Sequence, residues 1–66
     1  MMTATRPSVA LDGRYTVTQT CAALGIHRAT LLRYTKRGAI RAAFRRVDGR
    51  KVYVGKDIIK LWSASL

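Results

Sequence analysis

Cys21 is the only cysteine in this chain of 66 residues, and its isolation constrains the fold more than any other feature. No internal disulfide can form, and one cysteine with one histidine cannot supply the ligands of a structural zinc site. Domains of this size lie near the lower limit for folding without such cross-links. Apolar packing must therefore stabilise the chain, and a hydrophobic content of 48% is sufficient for one small core. We expect a single domain without metal or cofactor.

Positive charge is the strongest signal in the composition. Thirteen Lys and Arg residues oppose three Asp residues, which gives a formal net charge of +10. Because self-repulsion of this size disfavours a compact state, a polyanionic partner is the simplest reason to retain it. All the cations except Arg6 and Arg14 lie between Arg28 and Lys60, so the binding surface is expected there. Nucleic acid is the first candidate partner, and an anionic membrane surface is the second.

A first helix is predicted over residues 17–24. Thr16 and Gln19 have the spacing of a capping box, in which each side chain accepts a hydrogen bond from the other's backbone N–H. Apolar side chains recur at helical spacing from Val17 to Leu24, and Cys21 among them is interpreted as an inert core residue. Gly25 is well placed to end the helix. Residues 1–13 show no periodicity and are predicted to form a flexible arm before a folded domain over 14–66.

A second helix is predicted from Arg28 to Arg37, with His27 at its capping position and Gly38 as its stop. Leu31, Tyr34 and Thr35 share one face of this helix, and the opposite face carries Arg28, Arg33 and Lys36. Two short helices joined by a tight turn that contains glycine form the outline of a helix-turn-helix.

Beyond Gly38 the pattern changes to alternation. Asp48-Gly49 predicts a hairpin between strands at about 40–46 and 50–54. A two-residue turn would place Phe44 opposite Tyr53. A three-residue loop would pair Phe44 with Val52 and Ala42 with Val54, which gathers the apolar side chains on one face, so we prefer it. The outward side chains would then be Arg41, Arg45, Lys51 and Tyr53, with Arg46 and Arg50 near the tip.

A last helix is predicted over residues 56–64, with Asp57 in its positively polarised first turn. Ile58, Leu61 and Trp62 form an apolar stripe that can close the core, and Trp62 is interpreted as a core anchor rather than a base-stacking platform. The predicted fold class is α+β: a small winged helix-turn-helix with a two-stranded β-hairpin wing and a C-terminal helix.

The order of these elements over residues 15–62 resembles the MerR-type winged helix-turn-helix, particularly its small phage excisionase-like members. The resemblance rests on Tyr15-Thr16-Val17-Thr18-Gln19, Leu24-Gly25-Ile26, Arg28-Ala29-Thr30-Leu31, Arg33, Lys36-Arg37-Gly38, Ile40, the basic hairpin and Asp57-Ile58. The chain departs from the family pattern at several positions: Thr20-Cys21 replaces two alanines, His27 a serine and Arg41 a proline, and Tyr34 and Thr35 stand where aliphatic residues are usual.

The resemblance implies sequence-specific binding of double-stranded DNA, with the second helix in the major groove and the wing in the adjacent minor groove. Arg28 and Arg33 are candidates for base edges, because a guanidinium matches the two acceptors of guanine. Lys36 and Arg37 are expected to contact phosphates. The complete set of predicted DNA-binding residues is His27, Arg28, Thr30, Arg33, Lys36, Arg37, Arg45, Arg46, Arg50 and Lys51.

The leading functional prediction is an excisionase-like accessory factor of a phage or mobile element, cytoplasmic and not an enzyme. It would be a monomer that binds adjacent sites cooperatively, and a recombinase or integrase is its candidate partner. A small MerR-like transcriptional regulator is the alternative. RNA binding is disfavoured because only Tyr53 could be an exposed stacking aromatic. A membrane-active role is disfavoured because glycines interrupt any long amphipathic helix.

Overall fold

The computed structural model describes residues 2–64 as three helices and a three-stranded antiparallel sheet. The elements in chain order are β1 (Arg14–Thr16), α1 (Val17–Leu24), α2 (Arg28–Lys36), β2 (Ala43–Phe44), β3 (Lys51–Val54) and α3 (Gly55–Ala64). This arrangement confirms the predicted α+β winged helix-turn-helix fold. Met1 of the predicted arm and Ser65 and Leu66 of the predicted domain lie outside the described residues.

Helix α1 has the predicted bounds because both of its ends are specified locally. Thr16 Oγ1 accepts a hydrogen bond from Gln19 N at 3.1 Å, and Gln19 Oε1 accepts one from Thr16 N at 3.0 Å, so the capping box is complete. At the other end Gly25 adopts the left-handed conformation, with φ of +68°, which glycine reaches without steric strain.

Helix α2 begins as predicted, but two details of its ends differ. His27 occupies the predicted N-cap position, but its side chain makes no capping hydrogen bond. The prediction that the His27 side chain caps the helix is therefore wrong. The helix ends at Lys36, one residue before the predicted end. Gly38 N donates to Thr35 O and Ala39 N donates to Tyr34 O, a Schellman pair that closes the last turn.

The register of the hairpin differs by one residue from the prediction. Phe44 pairs with Lys51 and Ala43 with Val52, and β2 has two residues instead of the predicted seven. Arg45 N donates to Arg50 O at 2.8 Å and Gly49 N to Arg45 O at 2.7 Å, so the loop contains four residues, 46–49. The predicted three-residue loop is therefore wrong, and Phe44 is 67% exposed instead of packed.

The sheet also contains a strand that the sequence pattern did not reveal. Strand β1 pairs with the free edge of β3, with Tyr15 opposite Tyr53 and Thr16 opposite Val52. Strand β3 is consequently central, and Val52 and Tyr53, whose side chains point to opposite faces, are both buried. The prediction that Tyr53 points outward is wrong, because a central strand in this sheet is covered on both faces.

The core lies between the sheet and the three helices. Its buried members come from every helix, from the sheet and from the connection after α2: Leu24, Leu31, Ile40, Tyr53, Ile58 and Leu61. Cys21 and Trp62 are half-buried and pack against this cluster. Both residues therefore contribute to apolar packing as expected, although at the edge of the core.

The N-terminal segment, residues 2–13, contacts the domain at several points. Thr3 N donates to Leu24 O, and Trp62 Nε1 donates to Thr3 O, both at 2.8 Å. Gly55 N donates to Gly13 O, so the segment also supplies an acceptor to the start of α3. A methyl group at Gly55 would overlap the Ala10 carbonyl oxygen, so this close approach requires glycine. The division into a flexible arm and a domain stays a prediction, but the segment is docked in this structure.

Candidate nucleic-acid interface

Helix α2 presents its basic side chains away from the core. Leu31 is fully buried on the inner face, whereas Arg28, Arg33, Lys36 and Arg37 are all exposed. Of the two other predicted residues near the start of this helix, His27 is exposed and Thr30 is half-buried. The helix therefore offers solvent a surface on which every charged side chain is cationic.

A partly buried hydrogen bond connects α2 to the sheet. Thr35 Oγ1 donates to Leu31 O at 2.9 Å and lies 2.7 Å from the hydroxyl of Tyr53. Because the single hydroxyl proton of Thr35 is used for Leu31, the hydroxyl of Tyr53 is the donor to Thr35. This bond explains how the helix accommodates Thr35 at a position where the resembling family usually has an aliphatic residue. It also connects the helix directly to β3, one of the two strands of the predicted wing.

The wing, residues 43–54, carries the other predicted cations. Arg46 and Arg50 are exposed, and Arg45 and Lys51 are half-buried. Asp48 lies among them: its Oδ2 is 3.6 Å from Arg45 Nη1 and 3.8 Å from Arg50 Nε, and its Oδ1 accepts from Arg50 N at 3.0 Å. The only acidic residue of the wing thus contacts two of its arginines.

The helix and the wing meet in one groove. Arg28 of α2 lines it together with Arg50 and Lys51 of the wing, and its remaining wall is the N-terminal end of α1, residues 16–18. The groove has a volume of about 380 Å³. Arg28 is therefore close in space to Arg50 and Lys51, two predicted residues from which it is distant in sequence. The contribution of α1 was not predicted, because its first turn carries no charge that would have indicated it.

Other predicted residues lie outside this groove. Among the described residues, Arg33, Lys36, Arg37 and Arg46 do not line it, although each is exposed. A second groove brings Arg41 close to Lys60 of α3, with Asp57 also in its wall. Sequence reasoning noted the outward direction of Arg41 but could not anticipate its proximity to Lys60, because the two residues belong to elements far apart in the chain.

The surroundings of Cys21 shift the pKa of its thiol. Partial burial raises the pKa of the Cys21 thiol, and the nearby positive charge of Arg28 opposes this effect. Since burial is the larger influence, the thiol is protonated at neutral pH. A neutral thiol packed against the core agrees with a structural role for this cysteine.

A comparison with known protein families identifies the architecture independently. A family model described as a helix-turn-helix domain matches residues 14–64, most of the chain. The chain belongs to this helix-turn-helix domain family. No curated protein and no solved structure matches it.

Membership in this family establishes the general function of the domain. It is a small DNA-binding domain, and its partner is double-stranded DNA. The exposed cations of α2 and of the wing are consistent with that partner, because phosphate neutralisation supplies much of the affinity for DNA. None of the helices within residues 2–64 is long and apolar enough to cross a bilayer.

Proposed function

We propose that this helix-turn-helix domain is an excisionase-like accessory factor that binds specific duplex sites of a phage or mobile element. The observation that carries the proposal is the groove in which Arg28 meets Arg50 and Lys51. A helix and a wing that share one basic groove can engage a major groove and the adjacent minor groove at the same time.

The proposed DNA-binding side chains fall into groups that contact different parts of the duplex. Arg28 and Arg33 read guanine edges through bidentate hydrogen bonds, whereas Lys36 and Arg37 bind phosphates. His27 and Thr30 lie at the start of α2, where backbone N–H groups also attract a phosphate. The wing cations enter or flank the minor groove, since arginine inserts well where this groove is narrow. The wing residues in this proposal are Arg45, Arg46, Arg50 and Lys51.

The dimensions of the domain support cooperative binding. Its longest extent is 34 Å, about one helical turn of DNA. A single module of this size buries too little surface to select one site in a genome. We therefore propose that the protein is a monomer in solution, that copies occupy adjacent sites cooperatively, and that they bend DNA for a recombinase. In this proposal the protein acts in the cytoplasm and is not an enzyme.

Footprinting on the DNA that flanks the gene tests the proposal. The expected result is protection of several direct repeats, phased by whole helical turns, beside a recombination site. One protected site that overlaps a promoter would instead favour a small MerR-like transcriptional regulator. A uniform lack of protection at low salt would contradict specific binding altogether.

A further inference from the structure

Asp48 is unusual among the residues of the wing because it opposes the charge of its neighbours. The chain has only three acidic residues, and this one lies in the four-residue loop between the two strands of the wing. Its Oδ2 lies within 4 Å of the guanidinium groups of both Arg45 and Arg50, the residues that close the loop. A single carboxylate therefore contacts two cations that the proposed function places on DNA.

The negative charge of Asp48 is not needed to form the loop. The turn-forming contact is made by Oδ1, which accepts from Arg50 N, and a neutral amide oxygen can accept the same hydrogen bond. The two ion pairs involve side chains that are 35% to 77% exposed, and exposed pairs of this kind contribute little to folding. The charge thus calls for an explanation other than stability.

The negative charge of Asp48 directly affects how the wing binds DNA phosphates. A phosphate that approaches Arg45 or Arg50 meets a carboxylate already beside both guanidinium groups, and this carboxylate repels it. Fewer counterions are then released when the wing meets an arbitrary stretch of backbone, so binding that depends only on phosphates is weakened. Base-edge contacts in a fitting groove are less affected, because they depend on hydrogen-bond geometry as well as on charge.

We infer that Asp48 is a specificity-determining residue of the wing: it holds Arg45 and Arg50 and suppresses their binding to phosphates on non-cognate duplexes. This inference rests on the proposed function, because it requires that the wing contacts DNA. Asp48 would lower the affinity of the wing for DNA and thereby increase its discrimination between cognate and non-cognate duplexes. Specific interfaces often use repulsion in this way.

The decisive variant is Asp48→Asn, which removes the charge and retains an oxygen for the bond from Arg50 N. Asp12→Asn is the matched control, because it makes the same change of net charge at an exposed position in the N-terminal segment. Binding is measured on a random-sequence duplex and on a duplex enriched from a randomised pool by the wild-type protein. Thermal unfolding of each variant verifies that the fold is retained.

Asp48→Asn is expected to bind the random duplex on the order of threefold to tenfold more tightly than wild type, the value of roughly one restored phosphate contact. The slope of the logarithm of its association constant against the logarithm of salt concentration should steepen by about one. The gain in affinity for the enriched duplex should be smaller, so the ratio of enriched-duplex affinity to random-duplex affinity falls. Equal effects of Asp48→Asn and Asp12→Asn would overturn the inference while leaving the proposed function intact. If wild-type protein binds neither duplex at low salt, the proposed function itself fails.

Discussion

Two threonine hydroxyls illustrate how single residues set the stability of this domain. Thr20 is fully buried, and its Oγ1 has no hydrogen-bond partner among the described residues, whereas Thr35 Oγ1 contacts both Leu31 O and the hydroxyl of Tyr53. A buried hydroxyl without a partner costs free energy, and one with two partners is costly to remove. Substitutions at the two positions should therefore have opposite signs.

We predict that Thr20→Val raises the free energy of unfolding by about 1 kcal/mol, because valine fills the same space without an unpaired polar atom. Thr35→Val should lower it by about 1–3 kcal/mol, since the buried hydroxyl of Tyr53 loses its acceptor. Urea unfolding of both variants measures the difference. A destabilised Thr20→Val would indicate that a partner satisfies this hydroxyl in solution.

Arg33 and Lys36 are expected to differ although both are exposed cations of α2. Arg33→Ala should reduce discrimination between a selected duplex and a scrambled one by about 1–3 kcal/mol, because it removes a bidentate contact to a base. Lys36→Ala should weaken binding to both duplexes equally, since phosphates carry no sequence. Fluorescence titrations with the two duplexes separate these outcomes. Identical effects of the two substitutions would contradict the division between base and phosphate contacts.

At the scale of elements, the N-terminal segment acts as a brace between helices. Thr3 accepts from Trp62 Nε1 of α3 and donates to Leu24 O at the end of α1. Removing residues 1–5 should therefore lower the free energy of unfolding by about 1–3 kcal/mol, given two lost hydrogen bonds and lost packing of Met2. It should also shift the emission of Trp62, the only tryptophan, to longer wavelength as the indole becomes hydrated.

Replacement of Thr5 by alanine in the full-length chain is the control for this deletion, because Thr5 is exposed. Unchanged stability and emission after the deletion would support the flexible arm that the sequence predicts over residues 1–13. Hydrogen exchange at Thr3 N gives the same distinction without a mutation, since a docked amide is protected and a mobile one is not.

For the whole molecule, with a net charge of +10, the number of phosphates that its cations neutralise determines how binding responds to salt. If about six phosphates are neutralised, the logarithm of the association constant should fall with the logarithm of salt concentration with a slope of about −5. Affinity should then decrease on the order of a thousandfold between about 50 and 200 mM salt. Titrations at several salt concentrations measure the slope, and an affinity that is indifferent to salt would contradict a phosphate-based interface.

Much of the candidate site could be predicted because charge and exposure follow from local pattern. Arg33 and Lys36 lie on the side of α2 away from Leu31 as the helical period requires, and the wing lies where Asp48-Gly49 predicted a turn. The groove itself could not be predicted. It depends on how α2 and β3 lie relative to each other, and the Thr35–Tyr53 contact joins these elements across 18 positions of sequence.

The sequence by itself determined α1 and α2, because the capping box at Thr16 and the stops at Gly25 and Gly38 act through neighbouring residues. It also determined α3, through the helical spacing of Ile58 and Leu61. Only the tertiary structure decided the pairing of β1 with β3, the burial of Tyr53 and the docking of the N-terminal segment. Each of these depends on a partner distant in the chain, as when β1 covers the second edge of β3. A pattern that repeats every two residues shows which side chains share a face, but it does not show whether the other face is also covered.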